Sequence, residues 1–192
     1  MKFDAVILAG GAGRRLGGID KAAITVGDAT LLDRVLAAVV DADQIICVGP
    51  QRDAAVELEW VREDPPGGGP VAALAAGLQR VHAPVVMLLA VDLPFVTPTA
   101  VRRMVAVCNG GKAVIAADPD GVPQPLLAAY PTKPLQARVA ALGDGRGVPM
   151  KRLMDRLPHS LLVEPGICFD CDSWADVEQA VARANSWESQ DS

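Results

Sequence analysis

Aromatic side chains are scarce in this chain of 192 residues, only 4% of the total, although hydrophobic residues reach 51% with Ala and Val prominent. That balance suits helices packed closely on a parallel sheet better than a β-sandwich. Positive charge is short as well: 18 Lys and Arg face 23 Asp and Glu, a formal net charge of -5. With no overall positive field to hold a polyanion, nucleic acid is excluded as an expected partner. Cysteine is limited to Cys47, Cys108, Cys168 and Cys171, too few and too scattered for a secreted disulfide framework. A reducing cytoplasm fits them. Cys168-x-x-Cys171 has the spacing of half a zinc site, yet no second pair completes it and neither His82 nor His159 stands at a ligand spacing. A structural role is therefore expected for these thiols. Long apolar runs are absent too. The stretch 5–9 is too short for a signal peptide, and no segment approaches the roughly 20 apolar residues of a membrane span, so a soluble protein with no membrane partner is expected.

What is present alternates. Short Val/Ile/Leu runs at 5–9, 45–49, 85–91 and 113–117 are separated by helical stretches, the pattern of βαβ units with right-handed crossovers. The expected fold class is α/β, three layers around a mostly parallel, Rossmann-like sheet. Thr30 is placed to cap a helix through Leu31, Leu32, Val35, Leu36 and Val39, and Thr97-Pro98 to start another through Val105. Ser173 with Asp176 three residues on reads as a capping box for a helix over about 174–185. Proline and glycine make 63–70 a loop that opens into a helix over about 71–81, and make 118–125 a turn-rich excursion before the apolar run 126–130. At this length one core needs no staples, so a single domain is expected over residues 1–185, followed by a polar tail, 186–192.

The first run ends in Leu8-Ala9-Gly10-Gly11-Ala12-Gly13-Arg14-Arg15-Leu16-Gly17-Gly18-Ile19-Asp20-Lys21. In an open parallel sheet, ligands bind just outside the C-terminal ends of the strands. Gly10, Gly11 and Gly13 let backbone N–H groups approach phosphate oxygens, and Arg14, Arg15 and Lys21 can neutralise a triphosphate. Leu16 stands where a dinucleotide fingerprint needs its third glycine, and no Gly-Lys-Ser/Thr follows at P-loop spacing, so both of those motifs are excluded. A plain glycine-rich turn would need neither the two arginines nor the Asp-Lys pair. At the end of the run 85–91 stands Asp92, in Val91-Asp92-Leu93-Pro94-Phe95. Alone it could cap a turn. With 85–91 beside 5–9, it would face the phosphates held by the glycine loop, where a hard divalent cation, naturally Mg²⁺, needs an anionic oxygen.

These stretches, together with EDPPGGGPVAALAAGL, QPLLAAY and FDCDSWADV, resemble the molybdenum cofactor guanylyltransferases, within the nucleotidyltransferase fold of glycosyltransferase-A type. The resemblance spans essentially the whole chain. It implies that Leu8, Ala9 and Gly10 contact base and ribose, that Lys21 meets the phosphates, that Asp64 binds the guanine or ribose side, and that Asp92 holds magnesium. Guanylyl members read Leu-Ala-Gly-Gly where cytidylyl relatives read Leu-Ala-Ala-Gly. A glycine at position 10 leaves room for a larger purine, which points to GTP. The implied acceptor is molybdopterin carrying molybdenum, with room for transient contact with other molybdenum cofactor enzymes.

Four positions depart from the resembled pattern. Gly49 stands in the nucleotide-binding region where Asn is common, Ala73 where a loop glycine is expected, and Asp170 and Asp172 where asparagines are usual. Asp172 is a candidate second metal ligand; the alternative is a strand end leading into the Ser173 cap. The expected catalytic set is Arg15, Lys21 and Asp92, with Arg14 and Arg15 either on the leaving pyrophosphate or in a surface salt bridge. The acceptor pocket is expected from 124–130 and 143–151, where Arg146, Lys151 and Arg152 would meet a phosphorylated pterin or form a solvated basic face. Two other readings stay open: nucleotidyltransfer from CTP or to another phosphorylated acceptor, and a non-catalytic nucleotide-binding module.

Overall fold

The computed structural model describes residues 1–11, 16–108 and 111–188. Its strands are β1 (Phe3–Leu8), β2 (Thr25–Val26), β3 (Ala29–Thr30), β4 (Gln44–Val48), β5 (Glu59–Val61), β6 (Val85–Ala90), β7 (Ala113–Ala117), β8 (Pro123–Pro131) and β9 (His159–Val163). Seven of them form one sheet in the order β5-β4-β1-β6-β8-β7-β9, while β2 and β3 pair as a separate hairpin. Within the large sheet only β8 runs antiparallel to its neighbours. The helices are α1 (Leu31–Ala38), α2 (Pro70–Leu78), α3 (Pro98–Cys108), α4 (Thr132–Ala140), α5 (Met150–Met154) and α6 (Trp174–Glu188).

Strand alternation splits the core into two layers. Ala5, Ile7, Met87 and Leu89 face α1 and α3, meeting Val35, Leu36, Val101 and Met104. Val6, Ile46, Val86 and Leu88 face the other way, against Leu74 of α2, Leu135 of α4 and Leu153 of α5. A third cluster joins Leu16, Ile24, Val26, Leu31 and Phe95 to Cys171, Val177 and Ala180 around α6. The α/β class and the mostly parallel sheet are as the sequence pattern predicts. So are the three caps. Thr30 and Asp33 form a reciprocal capping box, Thr97 Oγ1 accepts from Ala100 N–H, and Ser173 and Asp176 exchange bonds at the start of α6.

The departures have physical causes. The helix expected over 71–81 starts at Pro70 and ends at Leu78, because proline suits the first helical turn, where its missing N–H has no partner to lose. Ala73 therefore lies inside α2, its N–H bonded to Gly69 O, and the helix interior asks for no glycine there. The excursion assigned to 118–125 ends early, since β8 begins at Pro123. Pro123 and Pro125 sit past Leu127, where β6 stops pairing with β8, and beside a register shift in its pairing with β7, while Pro131 closes the strand opposite Val85. Burial raises the Cys47 and Cys171 thiols to about 12 and those of Cys108 and Cys168 to about 11. At neutral pH all four are protonated, in keeping with packing roles. Among the described residues no helix is long and apolar enough to cross a membrane.

Candidate active site

Four parallel strands finish flush. Leu8 stands opposite Val48 on one side and Ala90 on the other, and Val48 opposite Val61. Beyond the last pairs, Ala9 N–H donates to Val48 O at 2.9 Å, Gly49 N–H to Val61 O at 2.9 Å, and Val91 N–H to Leu8 O at 3.2 Å. The segments after β1, β4, β5 and β6 thus leave the sheet along one edge. The chain passes from β1 to β4 on one side and later to β6 on the other, which makes this edge a switch point where α/β sheets open a ligand crevice.

Lys21 and Asp92 meet there. Asp20 caps a short 3-10 turn, Lys21–Ala23, by accepting from Ala22 N–H at 3.1 Å. Lys21 Nζ then donates to Asp92 Oδ2 at 2.8 Å and to Asp172 Oδ1 at 2.5 Å. Burial opposes the lysine charge, but hydrogen bonds from Nζ to Asp172 and Asp92 outweigh it and hold the pKa above the ordinary value. Asp170 lies close by. Its carboxyl is held above the usual range, first by desolvation and then by the negative charges of Asp172 and Asp92. Among the described residues no group of three or more His, Cys, Asp or Glu gathers as a ready metal cage. Were a divalent cation to bind here, Asp92 and Asp172 are the oxygen donors that would hold it.

The last motif reaches the site through packing. Cys171 N–H donates to Asp92 O at 3.0 Å. Phe95, three residues past Asp92, meets Phe169 edge-on at 5.8 Å between ring centroids, and the Arg183 guanidinium of α6 lies 3.9 Å over the Phe95 ring. The stretches Val91–Phe95 and Phe169–Ser173 are thereby one assembly, which explains how Asp172 arrives opposite Lys21.

A residue with no sequence motif completes the edge. Arg52, four-fifths buried, donates from Nε and Nη2 to Asp20 at 2.6 and 2.7 Å, from Nη2 to Ala9 O at 3.1 Å, and from Nη1 to Pro50 O at 2.8 Å. Its only sequence signal is position, just past the end of a buried strand on the ligand edge. Gly49 has a packing reason: a Cβ there would sit 2.8 Å from the Ala9 and Gly10 backbone, closer than real side chains come. Gly10 differs, since a Cβ would meet Val48 O and Gly49 Cα at ordinary distances of 3.5 and 3.6 Å. The fold demands glycine at 49 but not at 10.

The other expected site residues are distributed as follows. Leu8 and Ala9 are buried, with their carbonyls engaged by Val91 and Arg52, so Gly10 and Gly11 are what the edge exposes. Gly13, Arg14 and Arg15 lie outside the described residues. Asp64 is exposed in the bend that opens the 63–70 loop, and its neighbours shape that loop: Glu63 Oε1 accepts from Gly67 N–H, Gly68 O from Gly147 N–H, and Pro65 O from Arg146 Nη1. The acceptor region is corrected in part. Residues 127–130 are fully buried in β8, with Tyr130 in the second core layer, and cannot line a pocket. Lys151 instead lines a groove of about 710 Å³ with Val122, Pro123, Pro125, Met154 and His159, apart from Lys21, Asp92 and Asp172, which do not line it.

A family model described as the MobA-like NTP transferase domain matches residues 5–161. The chain belongs to this family. A molybdenum cofactor guanylyltransferase of Acidiphilium cryptum is 39% identical over 148 residues, 74% of each chain. A probable molybdenum cofactor guanylyltransferase of Synechococcus elongatus is 40% identical over 102 residues, 49% of this chain and 52% of that protein; the match thus spans about half of that relative's length. Among solved structures, the molybdopterin-guanine dinucleotide biosynthesis protein A of Archaeoglobus fulgidus superposes with a TM-score of 0.72 over 95% of this chain and 99% of that one. At 22% identity that likeness speaks for the shared fold.

Proposed function

We propose that this protein transfers GMP from GTP to the terminal phosphate of molybdopterin carrying molybdenum, releasing pyrophosphate. The observation that carries the reading is Lys21 Nζ held between Asp92 and Asp172 on the ligand edge. A lysine paired to two carboxylates beside a glycine-rich loop is a charge arrangement waiting for a triphosphate. When the triphosphate enters, Lys21 turns its ammonium to the phosphate oxygens and frees both carboxylates. Asp92, with Asp172 as second ligand, would hold Mg²⁺, which when bound supplies charge neutralisation on those oxygens. Gly10 and Gly11, joined by Gly13, offer N–H groups to the phosphates. An oxygen of the acceptor phosphate attacks the α-phosphorus in line, the bond to the β-phosphate breaks, and Arg14 and Arg15 receive the departing charge. Positioning and charge stabilisation do the chemistry, so no nucleophilic side chain is needed.

GTP is supported by two things: the guanylyltransferase names of the relatives, and a Gly10 that the fold itself does not require. Asp64 is assigned to the guanine or ribose side, on the exposed loop at the same edge. The test is pyrophosphate release with GTP or CTP, with and without molybdopterin. Release with GTP that depends on molybdopterin is the expected result. Release with CTP alone overturns the guanylyl assignment, and a GTP-dependent melting shift without turnover would reduce the protein to a binding module.

A further inference from the structure

Arg52 spends every one of its donor nitrogens on three separate segments. Nε and Nη2 grip both oxygens of Asp20 as a fork, Nη2 also reaches Ala9 O, and Nη1 reaches Pro50 O. The guanidinium lies 5.6 Å from the Trp60 ring centroid, so β5 limits its freedom on a further side. Fork geometry to a carboxylate is specific to arginine and gives direction as well as strength. Ala9 is where the chain leaves β1, and Asp20 immediately precedes Lys21. One guanidinium therefore ties together the two flanks of the glycine-rich loop. The same Asp20 oxygen that Nη2 holds also caps the 3-10 turn bearing Lys21, so the orientation of that turn is fixed from β4's side of the sheet. Gly49, pressed against the Ala9 and Gly10 backbone, leaves the room that lets the segment carrying Arg52 come this close.

We infer that Arg52 is a positioning residue: by clamping Asp20 and the Ala9 carbonyl it sets the turn that presents Lys21 to the nucleotide, without touching the nucleotide itself. The inference deepens the nucleotide reading above and rests on it for its consequence, not for its geometry. Holding a loop by its flanks lowers the ordering cost that a ligand must otherwise meet on binding.

The test compares Arg52→Met, Arg52→Lys, Asp20→Asn and the Arg52→Met/Asp20→Asn double variant in the full chain. Arg102→Met, which removes the exposed Arg102–Asp41 pair, serves as control. Amide hydrogen exchange of Ala22, Ala23 and Ile24, measured without ligand, reads the clamp; titration with GTP reads its consequence. Arg52→Met is expected to speed exchange in the turn while β6 stays protected. It should also weaken GTP binding about ten-fold, the equilibrium equivalent of one charge-assisted hydrogen bond. Asp20→Asn should reproduce both effects, the double variant should be no worse than either single one, and Arg52→Lys should fall between because it cannot make the fork. Unchanged exchange in Arg52→Met, or additive losses in the double variant, overturns the inference. Full loss of GTP binding in Arg52→Met with exchange unchanged also overturns it, in favour of direct nucleotide contact. If the native protein binds no GTP while the turn still loosens in both single variants, the clamp stands and the nucleotide reading falls.

Discussion

The two halves of the sheet end differently on the edge where ligands are expected. In the β5-β4-β1-β6 half the strands run the same way and stop in register, so their loops stack and charged groups from distant positions converge: Lys21, Arg52, Asp92 and, through α6, Asp172. In the β8-β7-β9 half a reversed strand breaks that alignment, and beside it a groove lined by Pro123, Pro125, Lys151, Met154, Leu157 and His159 runs from the start of β8 to the start of β9 at the opposite end of the sheet. Flush parallel ends concentrate polar chemistry, while the intruding strand spreads an apolar surface. The proposed triphosphate site lies in the first half.

The severest attack on this contrast is Asp92→Ala. It should lower pyrophosphate release from GTP and molybdopterin by about 100- to 1000-fold, the usual loss for a group acting on developing charge, with little change in melting because Lys21 keeps Asp172. Unchanged release would sink the assignment of Asp92. Next in size, Gly49→Ala should destabilise the fold by about 1–3 kcal/mol through backbone overpacking, whereas Gly10→Ala should stay within about 0.5 kcal/mol. Denaturant unfolding of the two variants decides it. Equal losses would show that glycine is structural at both positions.

A gentler probe is pH. Arg52 holds the Asp20 carboxyl below its ordinary value of 3.8. A depressed carboxylate contributes stability above its unfolded pKa and loses it as pH falls through the folded one. The stability gap between native protein and Arg52→Met should therefore be constant through neutral pH and close below about pH 3.8. Lys21 works in the opposite sense. Its pKa is raised above 10.5, so the gap to Lys21→Met should be complete at neutral pH and shrink only as pH climbs past 10.5 toward the higher folded value. Denaturant unfolding across both ranges checks the two signs. The smallest effect belongs to the groove: Lys151→Ala should leave the KM for GTP within about twofold, the scale of an exposed charge. A larger change would mean that the two halves communicate.

How much of this was readable beforehand depends on what a sequence pattern can carry. Buried parallel strands are continuous apolar runs, so β1, β4, β6 and β7 were legible, and with them the position of Asp92 at a strand end. The strands β5 and β9 were not, because Glu59–Val61 is three residues long and His159–Val163 is a largely exposed edge whose apolar run is only three residues. Prolines disguised the start of β8, which lies beyond its pairing with β6. Lys21 was legible from its motif. The closeness of Asp172 to Lys21 depends on contacts among Phe95, Phe169 and Arg183, and the place of Arg52 on a fold-level approach of β4 to β1; neither leaves a local trace.

The edge-on pairing of Phe95 with Phe169 also sets an order of events. A chain emerging from the ribosome delivers the glycine loop first, Asp92 midway, and Asp172 only with the segment that leads into α6, beyond residue 161 where the family match ends. A nascent or truncated chain folded as far as β9 would carry the loop, Lys21 and one carboxylate but not the other. The second carboxylate is thus withheld until the segment beyond β9 has been made, and a fragment that keeps the whole sheet would still lack Asp172, one of the two carboxylates of the proposed site.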